Sequence, residues 1–205
     1  MTLLQFDNVG NDKMESLSFS IEAGETRILE VLTQGIKLAV IDMALGELQP
    51  ANGVVSLKGQ PLALIQPGKT GWVPAEGGLI SNLKVWENIT LPLWYHGNRQ
   101  LKDTEESVMF WLSALNVDEK DWERFVASPV ARLNTLERKL AGLLRGLLLA
   151  PQVLIIDGNL FEEVDKNKAG YWIKALEKFA RDGDDGRAVL VVANTSTLLP
   201  WKLIE

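Results

Sequence analysis

Residues 23–46 read AGETRILEVLTQGIKLAVIDMALG, and this stretch decides the fold. Residues 26–31 are a short, mostly apolar run and predict a strand. Residues 36–45 predict a helix, with Gly46 as its stop. Between them stands Leu32-Thr33-Gln34-Gly35, and Lys37 opens the helix. A loop that cradles phosphate needs a strand, a Gly-rich turn and a helix opening with Lys-Ser or Lys-Thr. Glycines let backbone N–H groups curl around the anion, the lysine reaches the outer phosphates, and the hydroxyl binds magnesium. The strand, the turn, the helix and the lysine are in place. The spaced glycines and the hydroxyl are not.

The wider sequence repeats that pattern. Residues 23–26 (AGET) resemble the turn before the P-loop strand of ATP-binding-cassette (ABC) nucleotide-binding domains. Counted from there without a gap, Val31 and Ile36 fall on the two motif glycines. Lys37 falls on the lysine, Leu38 on the magnesium-binding hydroxyl and Ala39 on the threonine after it. Gly46, Pro50 and Gly53 match the family's following run. Residues 71–75 (GWVPA) resemble the strand before the Q-loop, with Ala75 at the glutamine. Residues 85–93 (VWENITLPL) resemble the start of the helical subdomain. Leu133, Asn134, Thr135, Leu136 and Glu137 lie where the LSGGQ signature belongs, and residues 145–147 (RGL) echo the helix after it. Residues 151–157 (PQVLIID) resemble the Walker B strand with Asp157 present, but Gly158 replaces the catalytic glutamate. Residues 189–194 resemble the last core strand, with Asn194 at the switch histidine.

The resemblance implies an α/β fold: a P-loop NTPase-like ABC domain with a β-rich N-terminal part and a helical insert. It spans residues 1–205 as one domain, with 1–84 and 150–205 as α/β core and 85–149 as helical subdomain. It also gives each loss a chemical meaning. Val31 and Ile36 crowd the turn, so an amide nest is not expected. Leu38 removes a magnesium ligand. Gly158 offers no carboxylate to polarise water, a role worth roughly two to four orders of magnitude. Asn194 cannot act as a base near neutral pH. In the signature, Glu137 would repel a partner's γ-phosphate. Residues 9–16, read as a short loop, hold no aromatic residue to stack on adenine. No catalytic residue, no metal site and no cofactor is expected, with ATP and magnesium an open point. Gln34, Gly35, Lys37 and Asp157 remain as nucleotide-binding candidates.

Composition fits a globular domain: 46% hydrophobic and 23% charged residues in 205. The net charge of -6 argues against a nucleic-acid partner. There is no cysteine, which excludes disulfides and thiolate metal sites, and no basic n-region opens the chain. The longest apolar run, 140–150, is broken by Arg145 and is too short for a bilayer. A cytoplasmic protein, peripheral at the inner face of the membrane through a partner, is the expectation. Residues 3–6 and 17–21 read as edge strands, and 54–57 with 62–65 as a hairpin. Residues 104–115, 136–149 and 165–180 read as helices. Residues 153–156 and 188–192 read as buried parallel strands, and 181–187 as a solvated loop.

Plainer readings stand beside these. Lys37 could be a helix-surface lysine, Asp157 a turn cap and His96 a helix C-cap. Glu162, Glu163 and Asp165 read as a solvated acidic loop near the family's D-loop, and the seven tryptophans as core and interface. Three functions follow. The first is an inactive ABC subunit with a structural or regulatory role, docked on a permease and paired with another ABC subunit or with itself. The second is a weak ATP-binding subunit with a non-standard site. The third is a free-standing protein-interaction module. The phrase 85–93 lies where family members receive the permease's coupling helix, so Leu79, Ile80, Trp86 and Trp94 are the candidate permease contacts. The helical phrase is faintly similar to lipid-transport systems.

Overall fold

Residues 1–12, 14–65, 68–95, 101–182, 186–194, 199–200 and 202–204 are described by a computed structural model, and every structural statement below concerns them. In chain order the strands are β1 (Thr2–Asn11), β2 (Met14–Glu22), β3 (Thr26–Glu30), β4 (Asn52–Leu57), β5 (Gln60–Pro61), β6 (Thr70–Val73), β7 (Val153–Asp157), β8 (Ala188–Ala193) and β9 (Lys202–Leu203). The helices are α1 (Gln34–Leu45), α2 (Val85–Tyr95), α3 (Leu101–Ala114), α4 (Glu119–Ala127), α5 (Thr135–Leu149) and α6 (Lys166–Arg181).

The chain divides into two compact units. The first holds Met1–Trp72, Pro151–Asn159 and Glu177–Glu205. It contains an antiparallel sheet, β2-β1-β4-β5, and a second sheet of order β6-β7-β8-β3-β9. β3 pairs in parallel with β8 and β9, and β7 with β8. β7 and β8 are buried at every residue, which is why their sequences are unbroken apolar runs rather than alternating ones. One apolar core joins the antiparallel sheet to the parallel one through Phe6, Ile41, Met43, Leu57, Ile155 and Leu190. Phe6 and Phe19 stack across the β1–β2 pair at 4.5 Å.

Three local expectations change. Residues 9–11 and 14–16 are not loop but strand, the facing ends of β1 and β2, with Asn11 opposite Met14. β1 is an interior strand, because β4 pairs along its other side. The hairpin after β4 returns only through Gln60–Pro61. Pro61 has no N–H for the ladder, so pairing stops there, and Leu62–Leu64 form a 3₁₀ turn instead of a strand.

The second unit holds Val73–Ala150 and Leu160–Leu176. In it α2 packs on α5 and α4, and α3 packs on the same two helices. Phe161 meets Trp172 of α6 edge to face at 6.4 Å. No described helix is long and apolar enough to cross a membrane.

Candidate functional site

The site begins where β3 ends. Val31 leaves the strand by donating its N–H to the Ala193 carbonyl at 2.8 Å. Thr33 then caps α1: its hydroxyl accepts the Ile36 N–H at 3.2 Å. That amide is one of the orphan donors that a phosphate would take, and the protein satisfies it internally. Gln34 and Gly35 are exposed on the first turn. Leu32 is 94% exposed and Leu38 41% exposed, so the surface around the turn is apolar.

Lys37 is neither a surface lysine nor a free point charge. It is fully buried. Its Nζ donates to Asp157 Oδ1 at 2.7 Å and to Asn159 Oδ1 at 3.1 Å. Asp157 ends β7 with 6% exposure and also accepts the Asn159 N–H at 3.0 Å. Two of the four sequence candidates, Lys37 and Asp157, thus meet, while Gln34 and Gly35 stay outside the cluster. Asn159 is a residue that sequence reading missed. Its only signal was its place two residues after the strand-end aspartate.

Gly158 is held by close packing. A Cβ there would lie 2.5 Å from Ala193 Cβ and 3.1 Å from Ala193 Cα. The space for a glutamate side chain is therefore filled by β8. Next along, Asn194 donates its side-chain N–H to the Val31 carbonyl at 3.1 Å. The residue at the switch position ties β8 to the turn after β3.

In the second unit, residues 134–137 form a helix cap. Asn134 Oδ1 accepts the Glu137 N–H at 2.9 Å, and Glu137 Oε2 accepts the Asn134 N–H at 3.0 Å. This is a reciprocal capping box at the start of α5. Glu137 also pairs with Arg124 at 3.2 Å. Its carboxylate is thus engaged within its own unit. The N-x-x-E spacing before an apolar run was the readable signal. Thr135 opens the helix on its exposed side and Leu136 is half-buried.

Ala75 begins a turn that α5 clamps. Gly77 and Gly142 approach so closely that a Cβ on either would strike the other's backbone or that of Arg138. Arg145 donates to the carbonyls of Gly78 at 2.8 Å and Gly77 at 3.0 Å. Burial pulls its pKa below the usual arginine value. Further on, the buried Asn88 accepts the Ile80 N–H at 2.7 Å and donates to the Ile80 carbonyl at 3.1 Å and the Lys84 carbonyl at 3.0 Å. It presents Ile80, 46% exposed, near the start of α2, while Trp94 on that helix is 63% exposed. Leu79 and Trp86 are half-buried. The acidic stretch is partly engaged: the Glu162 carbonyl accepts from Lys139 Nζ at 2.7 Å, and Asp165 caps α6 through the Lys168 N–H at 2.9 Å. His96 lies outside the described residues, as does Trp201. Among the described residues no group of three or more His, Asp or Glu could hold a metal ion.

No protein-family model matches the sequence. The chain is 25% identical over 149 residues to the autoinducer 2 import ATP-binding protein LsrA of Enterobacter sp. (strain 638), covering 70% of this chain and 28% of that protein. It is 24% identical over 152 residues to the "Probable ribonucleotide transport ATP-binding protein mkl" of Mycobacterium leprae, covering 70% of this chain and 42% of that one. The chain thus spans less than half the length of these relatives. Its structure matches an ATP-binding subunit of an ABC transporter with a TM-score of 0.78 at 20% identity, over 94% of this chain and 79% of that one. It matches a dimeric post-hydrolysis ATP-binding cassette bound to ADP and phosphate with a TM-score of 0.76 at 19% identity, over 96% and 90%. The chain has the fold of an ABC nucleotide-binding domain, the mixed α/β P-loop NTPase-like architecture of those structures.

Proposed function

We propose that the protein is a non-hydrolysing ABC subunit with a structural or regulatory role, docked on a membrane permease and paired with an ABC subunit or a second copy. The observation that carries this is the buried Lys37–Asp157–Asn159 cluster. The lysine that would meet the outer phosphates is used as an internal strut. The surrounding features agree. The first turn of α1 is capped by Thr33 and flanked by leucine, and Gly158 sits against Ala193. Calorimetry with Mg-ATP should show no binding tighter than about millimolar, about -4 kcal/mol. Turnover should stay below about 1 s⁻¹. A micromolar dissociation constant, or turnover abolished by Lys37→Ala, would overturn this.

One observation favours the second reading, a weak ATP-binding subunit: the lysine and the strand-end aspartate both survive at their frame positions and touch. The same titration decides between them. For docking, Ile80 and Trp94 with Leu79 and Trp86 supply the apolar and aromatic anchors that dominate interfaces. Leu79→Glu with Ile80→Glu should release a folded protein from native membranes. Retention of the double variant, or a wild-type protein never found at the membrane, would favour a free-standing module.

A further inference from the structure

An open groove of about 380 Å³ on the helical unit is lined by α3, α4 and Trp86 of α2. Its wall is apolar. Val108 and Leu112 are buried, and Trp86, Trp122 and Val126 are half-buried. Met109 is 46% exposed, and Phe110 beside it 48%. On α3, Glu105, Val108, Met109 and Leu112 recur at spacings of three and four, so they share one face. Trp122 donates its indole N–H to the Val117 carbonyl at 2.9 Å, which fixes the ring in the wall.

The charged residues lining this groove are both carboxylates, Glu105 and Glu123, and both are exposed. Neither has an ion pair among the described residues. The cations of α4 are engaged elsewhere: Lys120 pairs with Asp118 at 2.7 Å, and Arg124 with Glu137 at 3.2 Å and Asp121 at 3.5 Å. An apolar groove with uncompensated acidic groups complements a surface of apolar and basic residues. It does not complement itself, because a second copy set face to face would bring four carboxylates together. The same charges disfavour nucleic acid and anionic lipid. The backbone of the occupant is constrained too. Every lining residue lies in a helix, so the groove offers no strand edge to pair with an extended peptide. A helix arrives with its own backbone groups already bonded.

We propose that this groove docks a basic amphipathic helix of a partner protein. The helix sets its apolar face against Met109, Trp122 and Trp86 and its lysines or arginines toward Glu105 and Glu123. Met109 suits such a role, because an unbranched thioether adapts its shape to what it meets. Leu79, Ile80 and Trp94 do not line the groove, so this surface goes beyond the permease contacts proposed above and shares only Trp86 with them.

The test is a titration of the full chain, labelled with ε-¹³C methionine, with a leucine–lysine amphipathic peptide. The peptide has about 18 residues, above the ~12–15 at which isolated helices become marginal. The Met109 methyl resonance, identified by its loss in Met109→Leu, should move and saturate, while that of the buried Met43 stays in place. Glu105→Gln with Glu123→Gln should weaken binding about fivefold, the value of two exposed ion pairs. About 0.5 M sodium chloride should do the same to wild type by screening. Glu15→Gln with Glu47→Gln, which alters exposed carboxylates of the first unit and gives the same net charge, should bind as wild type does. The proposal fails if the Met109 resonance does not saturate, or if the Glu105 and Glu123 double variant binds as tightly as wild type. It fails if the Glu15 and Glu47 pair matters equally, or if a leucine–glutamate peptide binds as well. A Met109 resonance that moves on dilution of the protein alone would put a second copy in the groove and also overturns it. The substituted carboxylates are exposed, so the variants fold, and no permease is present, so failure leaves docking at Leu79 and Ile80 untouched.

Discussion

Lys37→Met tests whether the buried lysine holds the free protein together. Methionine keeps the apolar stem to within one atom of lysine's length and removes the ammonium, its charge and its N–H donors together. In this protein the change leaves Asp157 at 6% exposure with no cation, and strips the Asn159 side chain of the N–H it accepts. Removing one partner of a buried ion pair costs about 3–5 kcal/mol, because the other charge stays behind. That is a large part of the roughly 5–15 kcal/mol that holds a typical domain together. With a urea m-value near 3 kcal/mol/M, the midpoint should fall by about 1–1.7 M. Lys37→Met combined with Asp157→Asn removes both charges and keeps an acceptor for the Asn159 N–H. It should recover most of the loss, with a coupling energy of about 2–3 kcal/mol in a double-mutant cycle. A lysine unpaired in the free protein behaves oppositely: its removal leaves that protein's stability unchanged. An unfolding midpoint within about 0.5 kcal/mol of wild type for the single variant, or no recovery in the double, would refute the strut.

Two further substitutions probe the packing around that cluster and the α2 entrance. Gly158→Ala forces a methyl group toward Ala193 and should cost about 1–3 kcal/mol in urea unfolding; Gly158→Glu should be worse still and should yield no ATPase activity in a phosphate-release assay. Asn88→Ala removes three hydrogen bonds and leaves the Ile80 N–H without its acceptor, while the Ile80 and Lys84 carbonyls keep the Leu83 and Asn88 backbone N–H groups, so a loss of about 1–3 kcal/mol is expected. Hydrogen exchange should show the Ile80 amide opening faster.

The frame of the fold was legible because its signals are local. The apolar runs of β7 and β8, the turn at residues 23–26 and the Gly46 stop each depend on neighbours in sequence. Gly46 does end α1 in the left-handed conformation, at φ 77°. Residues 62–65 misled because an apolar run fits a strand and a 3₁₀ turn alike, and the deciding residue was Pro61. The site was less legible because its contacts are not local. Lys37 and Asp157 are 120 positions apart, and only their meeting turns a surface lysine into a buried strut. Arg145 reaches back 67 and 68 positions to clamp Gly78 and Gly77. Asn134 and Glu137 show the reverse case. Their capping-box spacing was readable, but comparison with a glycine-rich signature drew attention to what was missing instead of what the two residues do together.

A nucleotide site that had only lost its ligands would leave orphaned groups behind, each costing about 1–3 kcal/mol when buried. The groups here have partners. The Ile36 N–H is taken by Thr33, Lys37 by Asp157 and Asn159, and the Asn194 amide by the Val31 carbonyl. The unpartnered buried side-chain atoms among the described residues are Thr26 Oγ1, Arg27 Nε and Trp172 Nε1, and none belongs to this cluster. Nucleotide therefore has nothing to repair, and its linkage to folding should be small. A ligand that binds only the folded state stabilises it by RT ln(1 + [L]/Kd). At about 5 mM Mg-ATP, a millimolar site gives about 1 kcal/mol and a micromolar site about 5 kcal/mol. At roughly 2–4 °C per kcal/mol for a chain of this size, the melting midpoint should rise by no more than about 4 °C. A rise of 10 °C or more, on the order of what a micromolar site would produce, would mean that Lys37 leaves Asp157 when ATP arrives, and that the strut is a latch.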